Sequence, residues 1–195
     1  IMVVRDNQLM KALQMFASKR MERPALRCAE IKDGVLSITD SHVLLQKPTS
    51  LPDMTIDLYT LEDKKDINYP DVSRIVGYDK DNLHTLTKEH IKAIYDFVKQ
   101  HKNKSDRIKL AQEEDGELYV VHYKDTTPLE QLTLPSTQGV SFKYMFSSQC
   151  LLAILNYLML TEEETNFWTS KPTTPINLEQ GEAKLMLTSL HAFVD

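Results

Sequence analysis

The sequence predicts an α+β fold in which helices pack on antiparallel sheet, and three observations support this prediction. An amphipathic helical pattern followed by a hairpin signal occurs near the start of the chain. The same pattern returns 82 residues later. Stretches that alternate like strands then follow the second copy, and helices grouped with antiparallel hairpins in this way are typical of the α+β class.

The first copy begins with a helix predicted over residues 7–19, with Asp6 or Asn7 as its cap. Its apolar residues recur with the i, i+3, i+4, i+7 spacing that places side chains on one helix face. These residues are Leu9, Ala12, Leu13 and Phe16.

A hairpin is predicted after this helix. Asp33-Gly34 is a two-residue turn signal between strands expected at Cys28–Ile31 and Val35–Ile38. In the second copy Thr87 would cap a helix, and Asp115-Gly116 falls where the first turn predicts a second one. A helix and a hairpin repeated at one offset indicate a structural repeat. The apolar face of the second helix consists of Ile91, Ile94, Tyr95 and Val98.

The second copy continues further than the first. After Ser147 or Ser148, either of which would cap it, an apolar helix is predicted. Strands are expected at 129–135, 140–146, 164–169, 174–179 and 184–190. The first copy has only one later strand, Met54–Tyr59. We therefore expect a shortened domain at 1–68, a junction at 69–84 and a complete domain at 85–195.

The composition is that of a globular protein, with 42% hydrophobic and 26% charged residues. No apolar run approaches the roughly 20 residues that a membrane span needs. Cys28 and Cys150 lack metal-ligand spacing and are predicted to be buried free thiols in a reducing compartment. These features predict a cytoplasmic protein that does not enter a membrane.

The net charge of −5 is unevenly distributed. Residues 5–23 carry five basic and two acidic side chains, and residues 88–107 carry six basic and three acidic ones. Two basic helical segments on an acidic body would accept nucleic acid on one face. Solvated helix faces explain the same pattern.

Catalytic motifs are not apparent in the sequence. Asp40, Ser41 and His42 are the residue types of a hydrolase triad, but neighbours on a strand point to opposite faces and would not converge. The sequence contains no Gly-x-Ser-x-Gly, no His-x-x-x-His and no phosphate-binding glycine loop. We therefore expect a non-catalytic protein without a metal or cofactor.

Three stretches, Thr39–Leu44, Tyr69–Ile75 and Phe146–Leu158, resemble strings of one known family, the bacterial sliding clamps, which are the β subunit of DNA polymerase III. Thr39–Leu44 resembles the Thr-Asp-Gly-His-Arg-Leu stretch of the clamp's middle domain. Tyr69–Ile75 resembles the Phe/Tyr-Pro-Asp-x-x-Arg-Val/Leu motif between the middle and last domains. Phe146–Leu158 aligns without a gap to a helix of the last domain, and Lys171–Glu179 with Ala183–Leu190 resembles its final strands. The resemblance implies DNA-clamp domains over most of the chain.

Two departures from the family accompany this resemblance. The family's first domain has no counterpart, and residues 46–68 replace the second half of its middle domain. The C-terminal Met-Pro-Met-Arg-like signature is replaced by Leu187-Thr188-Ser189-Leu190.

The resemblance implies a cleft between the two domains that binds short peptides. An apolar cleft with a few polar groups suits leucine and aromatic side chains of a linear motif. A surface ion pair with Asp71 explains Arg74 equally well. The alternative of plain core packing applies to Leu26, Ile75, Leu185 and Leu187. The implied peptide-binding residues are Leu26, Thr39, Ser41, His42, Val43, Leu44, Pro70, Arg74, Ile75, Leu185, Leu187, Thr188 and Ser189.

A second implied surface would contact duplex DNA without sequence preference. On a helical wheel Lys88, Lys92, Lys99 and Lys102 share one side of the second helix. Lys11 and Lys19 are the candidates on the first helix, although the helix dipole also explains basic residues at its C-terminal end. Such contacts with phosphates are sensitive to salt.

The sequence thus predicts a clamp-like processivity or recruitment factor and homo-oligomer. Its partners would be DNA polymerase or other replication and repair proteins, bound through short linear motifs. The alternative is a clamp-derived peptide-interaction module, a regulator or competitor that does not encircle DNA.

Overall fold

A computed structural model describes residues 2–72, 80–114, 116–137 and 139–190 of the chain. The α-helices of this part are α1 (Met2–Gln14), α2 (Lys88–Val98) and α3 (Ser148–Leu158), and a short 3₁₀ helix spans Pro24–Arg27. The strands are β1 (Cys28–Lys32), β2 (Val35–Thr39), β3 (Val43–Pro48), β4 (Met54–Asp57), β5 (Asn82–Leu86), β6 (Asp106–Gln112), β7 (Leu118–Lys124), β8 (Thr127–Leu134), β9 (Phe142–Ser147), β10 (Thr165–Thr169), β11 (Ile176–Gln180) and β12 (Ala183–Leu187).

The strands form two antiparallel sheets. The larger has the order β4-β1-β2-β3-β12-β11-β10-β5, and the smaller has the order β8-β7-β6-β9. In the larger sheet β3 pairs with β12, so that Val43 lies opposite Leu187 and Gln46 opposite Lys184. This pairing joins the first quarter of the chain to its last strand, and the predicted α+β fold with antiparallel sheets is confirmed.

The first predicted hairpin is confirmed in its position and turn. Asp33 and Gly34 both have positive φ, at 52° and 79°, as a two-residue turn between twisted strands requires. Residues 113–117 connect β6 to β7, and Asp115 of the turn predicted there lies outside the described residues. In both copies a helix therefore precedes a hairpin.

Helix α1 lies earlier in the chain than predicted. It begins at Met2, so the predicted cap positions Asp6 and Asn7 are inside the helix. It ends at Gln14, where the chain tightens into i→i+3 hydrogen bonds. Ser18 N then donates to Leu26 O at 2.8 Å and turns the chain away from the helix direction. Lys19 consequently lies beyond the helix and not in its last turn.

Helix α2 begins where the sequence predicts. Thr87 Oγ1 accepts a hydrogen bond from His90 N at 3.1 Å, and Thr87 N donates to His90 Nδ1 at 3.1 Å. This is a reciprocal capping box with histidine in the place usually taken by glutamate or glutamine. Ser147 occupies the N-cap of α3, but its side chain makes no capping hydrogen bond.

Buried apolar residues from both sheets and from α1, α2 and α3 form one large cluster. Phe16 of the α1 region meets the ring of Tyr157 in α3 edge to face, with 6.1 Å between ring centroids. The larger sheet contains strands from both predicted domains, and the proposed division at 1–68, 69–84 and 85–195 stays a prediction. Strand β5 lies partly inside that predicted junction.

Candidate functional site

The turn between β2 and β3 is held by its own side chains. Asp40 Oδ1 accepts hydrogen bonds from His42 N at 2.8 Å and Val43 N at 3.0 Å. Thr39 Oγ1 donates to Val43 O at 2.7 Å and accepts from Ser41 N at 3.0 Å. Ser41 has a φ of 82°, so the stretch 40–42 is a tight turn and not the strand that we expected. Oδ1 of Asp40 therefore holds the turn.

Two neighbouring segments fix this turn from either side. Thr188 donates from both its N and its Oγ1 to His42 O, at 3.0 and 3.1 Å. On the other side, Thr39 N donates to the hydroxyl oxygen of Tyr69 at 3.0 Å. Burial raises the pKa of the Tyr69 hydroxyl far above its usual value, so it remains a neutral partner. The turn is therefore positioned by the predicted junction and by the end of the last strand.

A concave surface of about 610 Å³, the junction pocket, lies on one side of the turn. Three of the predicted peptide-binding residues, Leu26, Ser41 and Pro70, line it. Leu26 is half-buried, while Ser41 and Pro70 are exposed. The remaining lining residues are Arg23, Pro24, Ala25, Asp66, Ile67 and Asn68.

A larger concave surface of about 830 Å³, the lysine groove, lies on the other side of the turn. His42 and Thr188 of the predicted peptide set line it, together with Lys11, Lys19 and Lys102 of the predicted DNA set. The other lining residues are Gln14, Met15, Ala17, Asp40, Tyr59, Lys104, Ser147, Gln149, Cys150, Leu152 and Leu190.

Six of the predicted peptide-binding residues lie in the interior and not on the cleft surface. Ser189 is 8% exposed, and its hydroxyl donates to the carbonyl oxygens of Pro172 and Thr174 at 3.1 and 3.4 Å. Strands β2, β3 and β12 carry the others. Val43, Leu185 and Leu187 belong to the main apolar cluster, as core packing requires, whereas Leu44 belongs to a separate small cluster. The other five are Thr39, Val43, Leu44, Leu185 and Leu187, each at most 4% exposed.

Arg74 and Ile75 of the predicted cleft lie outside the described residues. Neither the peptide-binding prediction for Arg74 nor its alternative ion pair with Asp71 is therefore decided. The nearby residues Leu44, Val72 and Met186 form a small buried apolar cluster with Tyr69 packed against it. That cluster anchors the chain just before the undescribed segment.

The lysines predicted on one face of α2 do not form a single free basic surface. Lys92 and Lys99 both pair with Asp96, at 3.1 and 3.0 Å, and Lys88 lies 3.9 Å from Glu162. Hydrogen bonds from Lys99 and Lys92 lower the pKa of the Asp96 carboxyl. Because α2 ends at Val98, Lys102 is in the following loop, and its predicted place on the helix is wrong.

Sequence reasoning missed the convergence that makes the groove. In the sequence Lys104 belongs to a basic segment, and the apolar residues Met15, Cys150 and Leu152 belong to predicted helices, so nothing local indicates that they line one groove. The sequence has several basic residues at 99–104, but Lys102 and Lys104 line the same groove as Lys11, which is about 90 positions away in the sequence. No local pattern carries such a long-range pairing.

Cys150 is the cysteine that lines the lysine groove. Burial raises the pKa of the Cys150 thiol, which keeps it protonated and a poor nucleophile. Among residues 2–72, 80–114, 116–137 and 139–190, no group of three His, Cys, Asp or Glu side chains could hold a metal ion. In the same part of the chain no helix has the length and apolarity to cross a membrane.

Two buried ionisable residues, Asp106 and His122, lie next to the loop that contributes Lys102 and Lys104 to the groove. Asp106 Oδ1 and His122 Nε2 are 2.9 Å apart, and Asp106 Oδ2 accepts a hydrogen bond from Asn103 N at 3.0 Å. Burial alone would raise the pKa of Asp106, but the hydrogen bonds from His122 and Asn103 outweigh it and lower that pKa. The ring of His101 stacks on that of His122, with 3.8 Å between centroids. This cluster holds the loop from which Lys102 and Lys104 project.

Comparison with known proteins gives a clear answer for the fold. No family model matches the chain, and no curated protein matches it in sequence. The structure resembles the DNA polymerase sliding clamp of Bacillus subtilis with a TM-score of 0.75, 14% identity, and coverage of 97% of this chain and 63% of that one. The β sliding clamp of Caulobacter crescentus gives a TM-score of 0.73 and 17% identity, with 95% and 64% covered.

A third structure is similar to the same degree. It is the sliding clamp, DNA polymerase III subunit β, of Bartonella birtlesii bound to griselimycin, with a TM-score of 0.72, 18% identity, and 96% and 64% covered. The chain thus spans less than two thirds of the length of each of these clamps. At such identities the likeness concerns architecture alone. The chain has the fold of bacterial sliding clamps, the β subunits of DNA polymerase III.

Proposed function

We propose that this protein is a non-catalytic, clamp-like DNA replication factor that binds short peptides of its partners in a two-part cleft. The two parts are the junction pocket and the lysine groove. One observation carries the proposal: both surfaces border the same rigid turn at 40–42 and together gather residues from across almost the whole chain. The partners would be a DNA polymerase or other replication and repair proteins.

The physical properties of the cleft suit a linear peptide. The junction pocket offers apolar walls at Leu26, Ile67 and Pro70, where leucine or aromatic side chains of a motif would be buried. Between the two surfaces, the turn presents Ser41 and His42 to solvent without further folding. A preformed site of this kind loses little conformational entropy on binding. Arg74 and Ile75, which follow Pro70 in the sequence, are proposed as additional contacts.

The proposal is tested by calorimetry with a synthetic peptide of the glutamine-leucine-phenylalanine clamp-motif type. Leu26→Asp introduces a charge into the apolar wall and is expected to weaken binding at least tenfold, since a buried leucine contributes about 1.5 kcal/mol or more. Leu51→Asp is the matched control, because Leu51 is 53% exposed and lies outside both surfaces. Thermal unfolding confirms that both variants are folded. Absence of binding by the unaltered protein at millimolar peptide would contradict the proposal.

A second candidate function is a peptide-binding module that does not encircle DNA. The pairing of Lys92 and Lys99 with Asp96 favours it, because these lysines are then less available to phosphates. The clamp-like alternative requires self-association into a ring and salt-sensitive duplex binding. Light scattering and duplex-binding titrations at low salt separate the two. A monomer without DNA affinity supports the module, and a closed oligomer that binds duplex DNA supports the clamp.

A further inference from the structure

The edge of the lysine groove carries a strong excess of positive charge. Four lysines from separate segments surround it: Lys11 in α1, Lys19 after α1, and Lys102 and Lys104 in the loop between α2 and β6. All four are exposed. Asp40 supplies the single carboxylate among the lining residues, and its Oδ1 already accepts two backbone hydrogen bonds.

These four ammonium groups differ from other lysines of the protein. Within the described chain none of them forms an ion pair, whereas Lys64, Lys80 and Lys92 each lie within 3.1 Å of a carboxylate. Four unpaired cations around one concavity raise the local positive potential and attract a negatively charged ligand.

The loop that carries two of the lysines is fixed before any ligand arrives. Asn103 N donates to the buried Asp106 carboxylate at 3.0 Å, and Gln149 Nε2 donates to Lys102 O at 3.2 Å. Ser148 Oγ donates to His101 O. The backbone between His101 and Asp106 therefore presents Lys102 and Lys104 in a defined direction.

The floor of the groove favours a peptide over a nucleic acid. Met15, Ala17, Cys150, Leu152 and Leu190 give it an apolar surface that side chains of a peptide could cover. Single-stranded nucleic acid is usually held on exposed aromatic faces. The lining includes one aromatic ring besides His42, that of Tyr59, and the Arg27 guanidinium already lies 4.7 Å from its centroid.

We infer that the lysine groove binds an acidic stretch of the partner peptide, next to the apolar residues that occupy the junction pocket. Carboxylates of the peptide would lie along the lysine rim, while an adjacent apolar side chain would contact the floor. This inference rests on the proposed peptide-binding function and specifies the chemistry of the partner.

The test compares three synthetic peptides by calorimetry at about 50 mM salt. One carries the neutral clamp-type motif alone, and two add a pair of glutamates before or after it. The readout is the ratio of acidic to neutral affinity for each protein variant. At least one acidic peptide is expected to bind about three- to tenfold more tightly, since each exposed pair contributes less than a factor of ten. The variant Lys102→Gln/Lys104→Gln should bring this ratio close to one.

The control variant is Lys65→Gln/Lys124→Gln, which removes the same charge from exposed positions outside the groove. It should keep the ratio of the unaltered protein. Binding of the neutral peptide without any gain from either acidic flank would overturn the inference and leave the proposed function intact. Binding of none of the three would refute both. Binding of a twelve-nucleotide oligothymidine through Lys102 and Lys104, with no higher affinity for the acidic peptides than for the neutral one, would reassign the groove to nucleic acid.

Discussion

Two groups of lysines only a few residues apart differ in what surrounds them. Lys92 in α2 and Lys99, the C-cap of that helix, lie on either side of Asp96 and share its carboxylate, which is partly exposed. In the next loop, Lys102 and Lys104 point into the groove, while the nearby carboxylate of Asp106 is buried and bonded to His122 and to backbone. Asp96 neutralises the two lysines beside it, whereas Asp106 holds the loop that carries Lys102 and Lys104.

This difference shows why a count of charges does not locate a binding surface. Residues 88–107 have an excess of three positive charges, but the excess is concentrated where carboxylates are buried or absent. A potential that attracts a ligand depends on which cations remain unpaired around a concave surface. Changes at Asp106, Ser148 and Asp96 test whether the two groups really differ in this way.

The largest effect is expected for Asp106→Ala. The change leaves His122 buried without its carboxylate and frees Asn103 N, so the free energy of unfolding should fall by about 3 kcal/mol. Urea denaturation measures this. Asp63→Ala removes an exposed carboxylate and should change stability by less than about 0.5 kcal/mol. Equal effects of the two changes would show that the buried pair does not support the loop.

Acid should remove the same stabilisation without a mutation. The pKa of Asp106 in the folded protein is lowered from its ordinary value of 3.8, so the carboxylate stabilises the fold at every pH above that value. The contribution is lost as the pH falls through the lower, folded-state pKa. The contribution of the Asp106 carboxylate to the difference in unfolding free energy between the unaltered protein and Asp106→Asn should thus be complete above pH 3.8. It should shrink below pH 3.8, and a difference that grows there would contradict the assignment.

Local signals in the sequence predicted the frame around these lysines correctly. Asp33-Gly34 adopts the left-handed turn that its residue types favour, and Thr87 caps α2 because both partners of the capping box are within three residues. The end of α2 was less predictable. His101 N bonds to Val98 O at 2.9 Å in a tightened last turn, and neither glycine nor proline marks that position.

Surface positions of the proposed cleft follow from the sequence most directly where the chain turns. Ser41 and Pro70 are on the surface because the chain reverses there, whereas Leu185 and Leu187 alternate along β12 into the core. Similarity to the sequence of a known cleft does not show whether a side chain lines the cleft or is buried beneath it. Strand period and sheet neighbours make that distinction, and they depend on the pairing of β3 with β12.

A smaller effect is expected for Ser148→Ala. Ser148 is fully buried, and its hydroxyl donates to His101 O at the start of the loop that carries Lys102 and Lys104. Removal of this hydrogen bond should lower the free energy of unfolding by about 1 kcal/mol. The control is Ser105→Ala, an exposed serine of the same loop. Hydrogen exchange at residues 101–104 should accelerate in the first variant alone, and unchanged exchange would mean that other contacts fix the loop.

The smallest effect is expected for Asp96→Asn, which removes the carboxylate shared by Lys92 and Lys99. The two released ammonium groups should raise the affinity for duplex DNA about two- to fivefold at low salt, because each additional phosphate contact contributes modestly and is screened by salt. Fluorescence anisotropy with a labelled duplex at 50 and 200 mM salt measures this, and the gain should disappear at the higher concentration. Asp125→Asn makes the same change of net charge at an exposed turn of the smaller sheet. An equal gain in both variants would mean that net charge alone matters, and that pairing with Asp96 does not set the lysines of α2 apart from those of the groove.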